Sequence, residues 1–163
     1  MKDEGLFDIP HHSSLITTAQ SNFMFSILDI STSALVAQRT RVTAIASNIA
    51  NVSTTHNEAG EATPYQPRFV VFEADNAIQG PGGSPGVKVA SVEIAQVEPN
   101  WKFQPGHPDA IKEGSRAGYV AYPNIDMTTE FVDALEATRA YEANVGVIEV
   151  TKSMTQQTLK IIA

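Results

Sequence analysis

The 163-residue sequence predicts an α+β chain. Long N- and C-terminal helices pair as an antiparallel coiled-coil stalk, with a small β module between them. Three observations predict this. Residues 24–52 and 126–163 carry apolar residues at helical spacing, with heptad repeats in both. The segment between them is rich in Gly, Pro and Val and has no helical period. No constellation of catalytic or ligating residues interrupts it. A chain that places its best helices at its two ends brings those ends together and uses them for contact with other molecules.

Four parts follow in order. Residues 1–23 read as a disordered or extension segment, because Gly5, Pro10 and the His11-His12-Ser13-Ser14 run break any pattern. The ordered pattern begins near Met24. The N-terminal helix spans 24–52. Leu28, Leu35, Val42 and Ile49 repeat every seven residues, and Ile45 and Val52 add intermediate positions. Ala34, Ala37, Ala44, Ala46 and Ala50 keep the other faces slim. Asp29 or Ser31 caps or stiffens its start, and Asn51 suits its end, where Asn tolerates the left-handed conformation.

Residues 53–125 form a loop-rich β module. Pro64 and Pro67 mark a loop. Residues 69–74 read as a strand, and Val87, Val89, Val92 and Ile94 resume strand character after the flexible Gly80–Gly86 run. The two make an antiparallel hairpin. Residues 99–118 return to loop, where Trp101 and Phe103 either cover the β module or form an interface patch. Tyr119–Tyr122 is a short extended piece ended by Pro123.

The C-terminal helix spans 126–163. Asp126 caps it, and Glu130 in the first turn suits the helix dipole. At 1.5 Å per residue it runs roughly 55 Å, longer than a small core can cover. It carries one stripe of Ala134, Tyr141, Val145, Ile148, Leu159 and Ile162, and another of Ala137, Ala140, Val147, Met154 and Ile161. Two stripes imply two packing partners. The N-terminal helix is one, and another molecule is the simplest second. Asn48 and Asn144 stand either on solvated faces or at packed positions, where a buried Asn fixes register.

Composition excludes several function classes. Eighteen acids against eleven Lys and Arg give a net charge of −7. That disfavours nucleic acid and anionic membrane surfaces, which need clustered cations. With no cysteine there is no disulfide, thiolate nucleophile or Cys-based metal site. No run approaches the ~20 apolar residues of a membrane span. The Gly80–Gly86 run lacks the Lys of a phosphate loop. His107, Asp109 and Glu113 share a Pro/Gly loop without ligand spacing and read as exposed polar residues. His56, Glu58 and Glu61 read as solvated loop. No local signature supports a Ser/His/Asp arrangement. Asn51-Val52-Ser53 matches a glycosylation acceptor without supporting context. Catalytic, cofactor and metal residues are therefore none.

The terminal motifs carry a resemblance. Ala46-Ser47-Asn48-Ile49-Ala50-Asn51 resembles the N-terminal signature of the bacterial flagellar axial family of rod, hook and hook-associated proteins. Gly118-Tyr119-Val120-Ala121-Tyr122-Pro123-Asn124-Ile125 is similar to the segment before the C-terminal helix of a proximal-rod member. Arg139-Ala140-Tyr141-Glu142-Ala143-Asn144-Val145 and Thr151-Lys152-Ser153-Met154 resemble that helix itself. The match covers both ends from Met24 onward. Residues 1–23 precede the start usual in the family, so no export signal is carried over onto them.

The resemblance implies a structural, non-enzymatic subunit of the proximal rod, in the basal body where the rod crosses the periplasm. It implies export through the flagellar type III apparatus and assembly into a torque-transmitting tube. Implied partners are copies of itself, the rod proteins FlgB, FlgF and FlgG, FliE and the MS ring, with no nucleic acid and no membrane span. Another axial protein, or a generic coiled-coil adaptor, are the rival readings. The expected assembly interface is Leu28, Leu35, Val42, Ile45, Asn48, Ile49, Asn51, Tyr141, Asn144, Val145, Ile148, Met154 and Leu159.

Overall fold

A computed structural model describes residues 12–57 and 59–162; side chains are described from Phe23 onward, except those of Glu58, Pro81 and Ile162. Helix α1 runs from His12 to Ala50 and helix α2 from Met127 to Ile162. Between them lie strands β1 (Arg68–Gln79), β2 (Pro85–Ile94), β3 (Asn100–Phe103) and β4 (Tyr119–Tyr122).

Helix α1 begins earlier than the sequence suggested. The 12–23 part of the expected irregular segment is helical, and residues 1–11 lie outside the described residues. The reason is local: no Gly or Pro occurs between Pro10 and Gly60, so nothing stops the helix from propagating backward. Asp29 and Ser31 are consequently mid-helix residues, and Ser31 is buried rather than capping.

The C-terminal end of α1 uses Asn51, but not through a left-handed backbone. Among the described residues, positive φ is confined to glycines. Instead the Asn51 side chain folds back, donating from Nδ2 to the Ser47 carbonyl at 2.9 Å, and accepts the Thr54 hydroxyl at 3.1 Å. The Ser47 carbonyl thereby accepts twice from Asn51, from its backbone N–H at 3.1 Å and from its side chain, which ties the last turn.

Strands β1 and β2 form an antiparallel hairpin, in register from Arg68↔Ile94 to Asp75↔Gly86, with an irregularity between Val71 and Phe72. The strands run longer than the apolar pattern indicated. Their tip is a defined turn: Pro81–Gly83 is 3-10, with Gly82 at φ 72° and Gly83 at φ 78°, a region glycine enters without a Cβ clash. The tip rests on α1. The Ser33 hydroxyl donates to the Ile30 carbonyl at 2.7 Å and accepts the Val87 N–H at 3.1 Å. A Cβ on Gly80 would collide with Ile30 Cδ1.

The segment carrying Trp101 and Phe103 is a strand, not a loop. β3 pairs with β4 from Asn100↔Tyr122 to Phe103↔Tyr119. Four residues bounded by Pro99 and Pro105 offer too little alternation to mark it. The Arg116 guanidinium stacks 4.5 Å over the Trp101 ring, and Phe103 meets Tyr119 edge-on at 5.2 Å.

Asp126 caps α2: its carboxylate accepts the Thr128 N–H at 2.9 Å and the Thr129 hydroxyl at 3.1 Å. These bonds, the Thr128 N–H first, hold its carboxyl below the ordinary range. The helices are antiparallel. Asn48 meets Glu130, Arg41 meets Asp133 and Glu136, and Met24 meets Thr155, so one number falls as the other rises. Helix α1 is the central element, packing along α2 and along both strands of the hairpin.

Small residues line the deepest part of the helical seam: Ser31, Ala37, Ala44, Ala137 and Thr151 are buried, with Ile45 the one large apolar side chain among them. Leu28, Leu35, Val42 and Ile49 are half-buried at its margin. Small side chains bring the backbones close, and the longer ones flank the contact.

Candidate assembly interface

Two regions of the helix pair matter: the junction where α1, β1 and α2 meet, and the outer face of α2. At the junction Asn48 is 3% exposed and every hydrogen-bonding position on its amide is filled. Nδ2 donates to the Arg68 carbonyl at 2.8 Å and to Glu130 Oε1 at 3.0 Å. Oδ1 accepts the Arg68 N–H at 2.8 Å and the Tyr65 hydroxyl at 3.2 Å. Tyr65 lies 3.1 Å from Ser47 Oγ; its one proton goes to Asn48, so Ser47 donates to it.

Asn48 thus offers β1 what a neighbouring strand would: one donor and one acceptor to the same residue. It fixes where the hairpin starts relative to both helices. Of the two readings of this residue, the packed one holds, but what it sets is the docking of the β module more than a helix–helix register. Ser47 and Asn48 face inward, while Asn51 closes the helix, which explains three polar residues within five positions.

An open groove of about 330 Å³ adjoins this junction. Arg41, Asn48, Arg68, Phe69, Phe72, Glu130 and Asp133 contribute to its walls. Arg41 Nη2 lies 3.2 Å from both Asp133 Oδ1 and Glu136 Oε2 and ties the helices together. Burial first, and the like charge of Asp133, push the Glu130 carboxyl above its ordinary value against the opposing bond from Asn48.

The expected interface residues divide between these regions. Ile45 and Asn48 are buried inside the subunit. Leu28, Leu35, Val42, Ile49, Asn51, Asn144, Val145 and Ile148 are half-buried. Asn144 donates to the Ala140 carbonyl of its own helix at 2.8 Å. Tyr141, Met154 and Leu159 are exposed.

The two stripes drawn on α2 are therefore mixed. Ala134, Val145 and Ile148 of the first turn inward with Ala137 and Ala140 of the second. Tyr141 and Leu159 of the first turn outward with Val147, Met154 and Ile161 of the second. Ile162 lacks a described side chain. The side of α2 that stays covered is the row Glu130, Ala137, Asn144, Thr151 and Thr158, buried or half-buried throughout. It runs between the two stripes, so each stripe has members near that row and members turned away from it.

The outer face of α2 is strongly apolar. Phe131, Val132, Leu135, Val150, Met154, Leu159 and Ile161 are each more than half exposed, Met154 at 53% and Val150 at 61%. Val147, Val150, Met154 and Ile161 fall at helical spacing along one side. An exposed apolar row of this kind marks an interaction surface.

A second polar cluster links the α1 exit to the β3–β4 unit. Asp109 Oδ2 accepts the Thr55 hydroxyl at 2.6 Å, with His56 Nδ1 at 3.6 Å and His107 Nδ1 at 3.8 Å. The Thr55 bond first, then the two histidines, hold the Asp109 carboxyl below its ordinary range against some desolvation. Asp109 and His107 are half-buried, so the expectation of a merely exposed loop is corrected; Glu113 is exposed. Among the described residues, no group of three or more His, Asp or Glu side chains has metal-binding geometry. No described helix is long and apolar enough to cross a membrane.

Two family models match the chain: "Flagella basal body rod protein" over residues 28–56 and "Flagellar basal body rod FlgEFG protein C-terminal" over 116–161. The flagellar basal-body rod protein FlgC of Borreliella burgdorferi is 39% identical over 150 residues, spanning 85% of this chain and 97% of that protein. The FlgC of Salmonella typhimurium is 40% identical over 139 residues with the same coverage. That of Bacillus subtilis is 36% identical over 149 residues, spanning 84% and 97%. The chain belongs to the FlgC family of flagellar basal-body rod proteins. The matched segments cover most of the two terminal helices of this FlgC-family chain. One holds Asn48 and Asn51; the other runs from β4 through α2.

Proposed function

We propose that this FlgC-family chain is a structural subunit of the flagellar basal-body proximal rod, and that it polymerises through its terminal helices into a torque-transmitting tube. It resides in the basal body and carries no catalytic site. Its neighbours are further copies of itself, FlgB, FlgF, FlgG, FliE and the MS ring, and it reaches them through the flagellar type III export apparatus.

The observation that carries this reading is the outer face of α2. The seam with α1 takes mainly small residues and leaves Phe131, Leu135, Val150 and Met154 largely exposed. A monomer gains nothing from that arrangement. A helical polymer needs repeated heterologous contacts, and an unpaired apolar helix face supplies one half of each.

The test is incorporation. Val150→Asp and Met154→Asp place charges on the outer face without touching the α1 seam, unlike changes at the half-buried Val145 or Ile148. A charge trapped in a packed contact is costly. In a strain lacking its own copy, either variant is expected to be secreted and left unassembled. Normal rods from both would refute the proposal.

A further inference from the structure

We infer that the groove at the α1–β1–α2 junction receives a lysine from the C-terminal half of α2 of a second copy of this chain, which pairs with Glu130. The inference rests on the rod-subunit reading and names the contact that its polymer makes at this groove.

Glu130 is half-buried at the start of α2 and, among the described residues, has no cationic partner. Its one polar contact is the Asn48 amide. Arg41 is occupied by Asp133 and Glu136. The Arg68 guanidinium lies 6.0 Å over the Tyr65 ring. A partly desolvated carboxylate beside a second acid is an unfavourable arrangement in a lone subunit, and one that an incoming cation relieves. The groove beside it is open, about 330 Å³, and one wall carries the exposed Phe69 ring. It therefore suits a side chain with an apolar stem and a charged head, which describes lysine.

The same chain carries the complement. Along α2, residues 127–143 hold four acids (Glu130, Asp133, Glu136, Glu142) against Arg139. Residues 144–162 hold Glu149 against Lys152 and Lys160. Both lysines are exposed and make no ion pair among the described residues. They share this half of the helix with Val150, Met154 and Leu159, also exposed, and Lys152 lies on the opposite side of it from Val150 and Met154. One end of α2 is thus acidic beside a groove, and the other is basic and apolar. Joining unlike ends of two copies makes a heterologous contact that repeats without closing, with charge setting the register.

The experiment is charge reversal with suppressor selection on the full chain, in a strain lacking its own copy. Glu130→Gln keeps an oxygen for Asn48 and removes the charge; incorporation into rods should fall about tenfold. Glu130→Lys should abolish motility while the purified variant still melts cooperatively. Motile revertants should carry Lys152→Glu or Lys160→Glu in the same chain. Normal rods from Glu130→Gln overturn the inference, and decide the matter if Glu130→Lys fails to fold. Revertants confined to other rod proteins, or none at all, overturn it as well. These failures leave the rod reading intact as long as Val150→Asp and Met154→Asp block assembly.

Discussion

Replacing Asn48 tests how the β module is held to the helices. Asn48→Ala removes four hydrogen bonds at once: two to the backbone of Arg68, one from Tyr65 and one to Glu130. A typical bond nets about 1 kcal/mol, and one to a charged group about 1.5–3. Full loss would approach 5 kcal/mol. The open groove alongside lets water reach the stranded groups and lowers the cost. A net loss of about 2–4 kcal/mol follows, or roughly 4–16 °C in melting temperature for a chain of this length. Asn48→Asp separates shape from chemistry. It keeps the acceptor for the Arg68 N–H but turns a donor toward the Arg68 carbonyl and the Glu130 carboxylate into a second negative charge. At neutral pH it should be worse than alanine, and acidification through the carboxylate range should restore part of the loss. The assay is urea and thermal unfolding of purified chain, with hydrogen exchange at the Arg68 amide reporting the local release. If both variants unfold within about 0.5 kcal/mol of the parent, the amide is not what docks the hairpin.

Three further outcomes follow from other sites. Gly118 has φ 85° and would set a Cβ 2.7 Å from the Phe103 ring, whereas Gly82 has φ 72° in open space; by denaturant unfolding, Gly118→Ala should cost clearly more than the roughly 1 kcal/mol expected of Gly82→Ala. The Asp109 carboxyl is held low by Thr55, so its contribution is present above the unfolded value of about 4 and is lost as pH falls through the lower folded value; amide exchange around 107–111 should accelerate on acidification in that window, and a Thr55→Val variant should lose the dependence. In the isolated monomer, amides of α2 beyond Asn144 should exchange faster than those of β1 and β2, because a helix with one packed side has little stability of its own; strong protection across 144–162 in a confirmed monomer would rule out folding coupled to assembly.

Much of the architecture is legible in residue order alone. The absence of Gly and Pro from 11 to 59, and the Asp126 cap before an almost unbroken run, determine two long helices because helix formation is decided by neighbours within a turn. The Gly-Pro-Gly-Gly tip between Val-rich runs determines a hairpin for the same local reason. The residues that face outward are another matter. Val145 and Val147 are chemically alike and two positions apart, yet one is half-buried against α1 and the other exposed. That difference depends on the rotation of α2 against its partner, which no local pattern encodes. Strand β3 is not legible in its own four residues, because its pairing partner β4 lies across a loop of fifteen residues (104–118). Asn48 likewise stands in a recognisable motif without revealing what it bonds. Its four hydrogen bonds go to segments 17, 20 and 82 residues away. Sequence alone determined that both ends of the chain are helical, since helix formation is settled within a turn, although its pattern placed the start of α1 at 24 where the helix begins at His12. Tertiary structure decided which polar group is buried and which apolar face is left for a partner, because burial belongs to surfaces brought together only when the chain has closed.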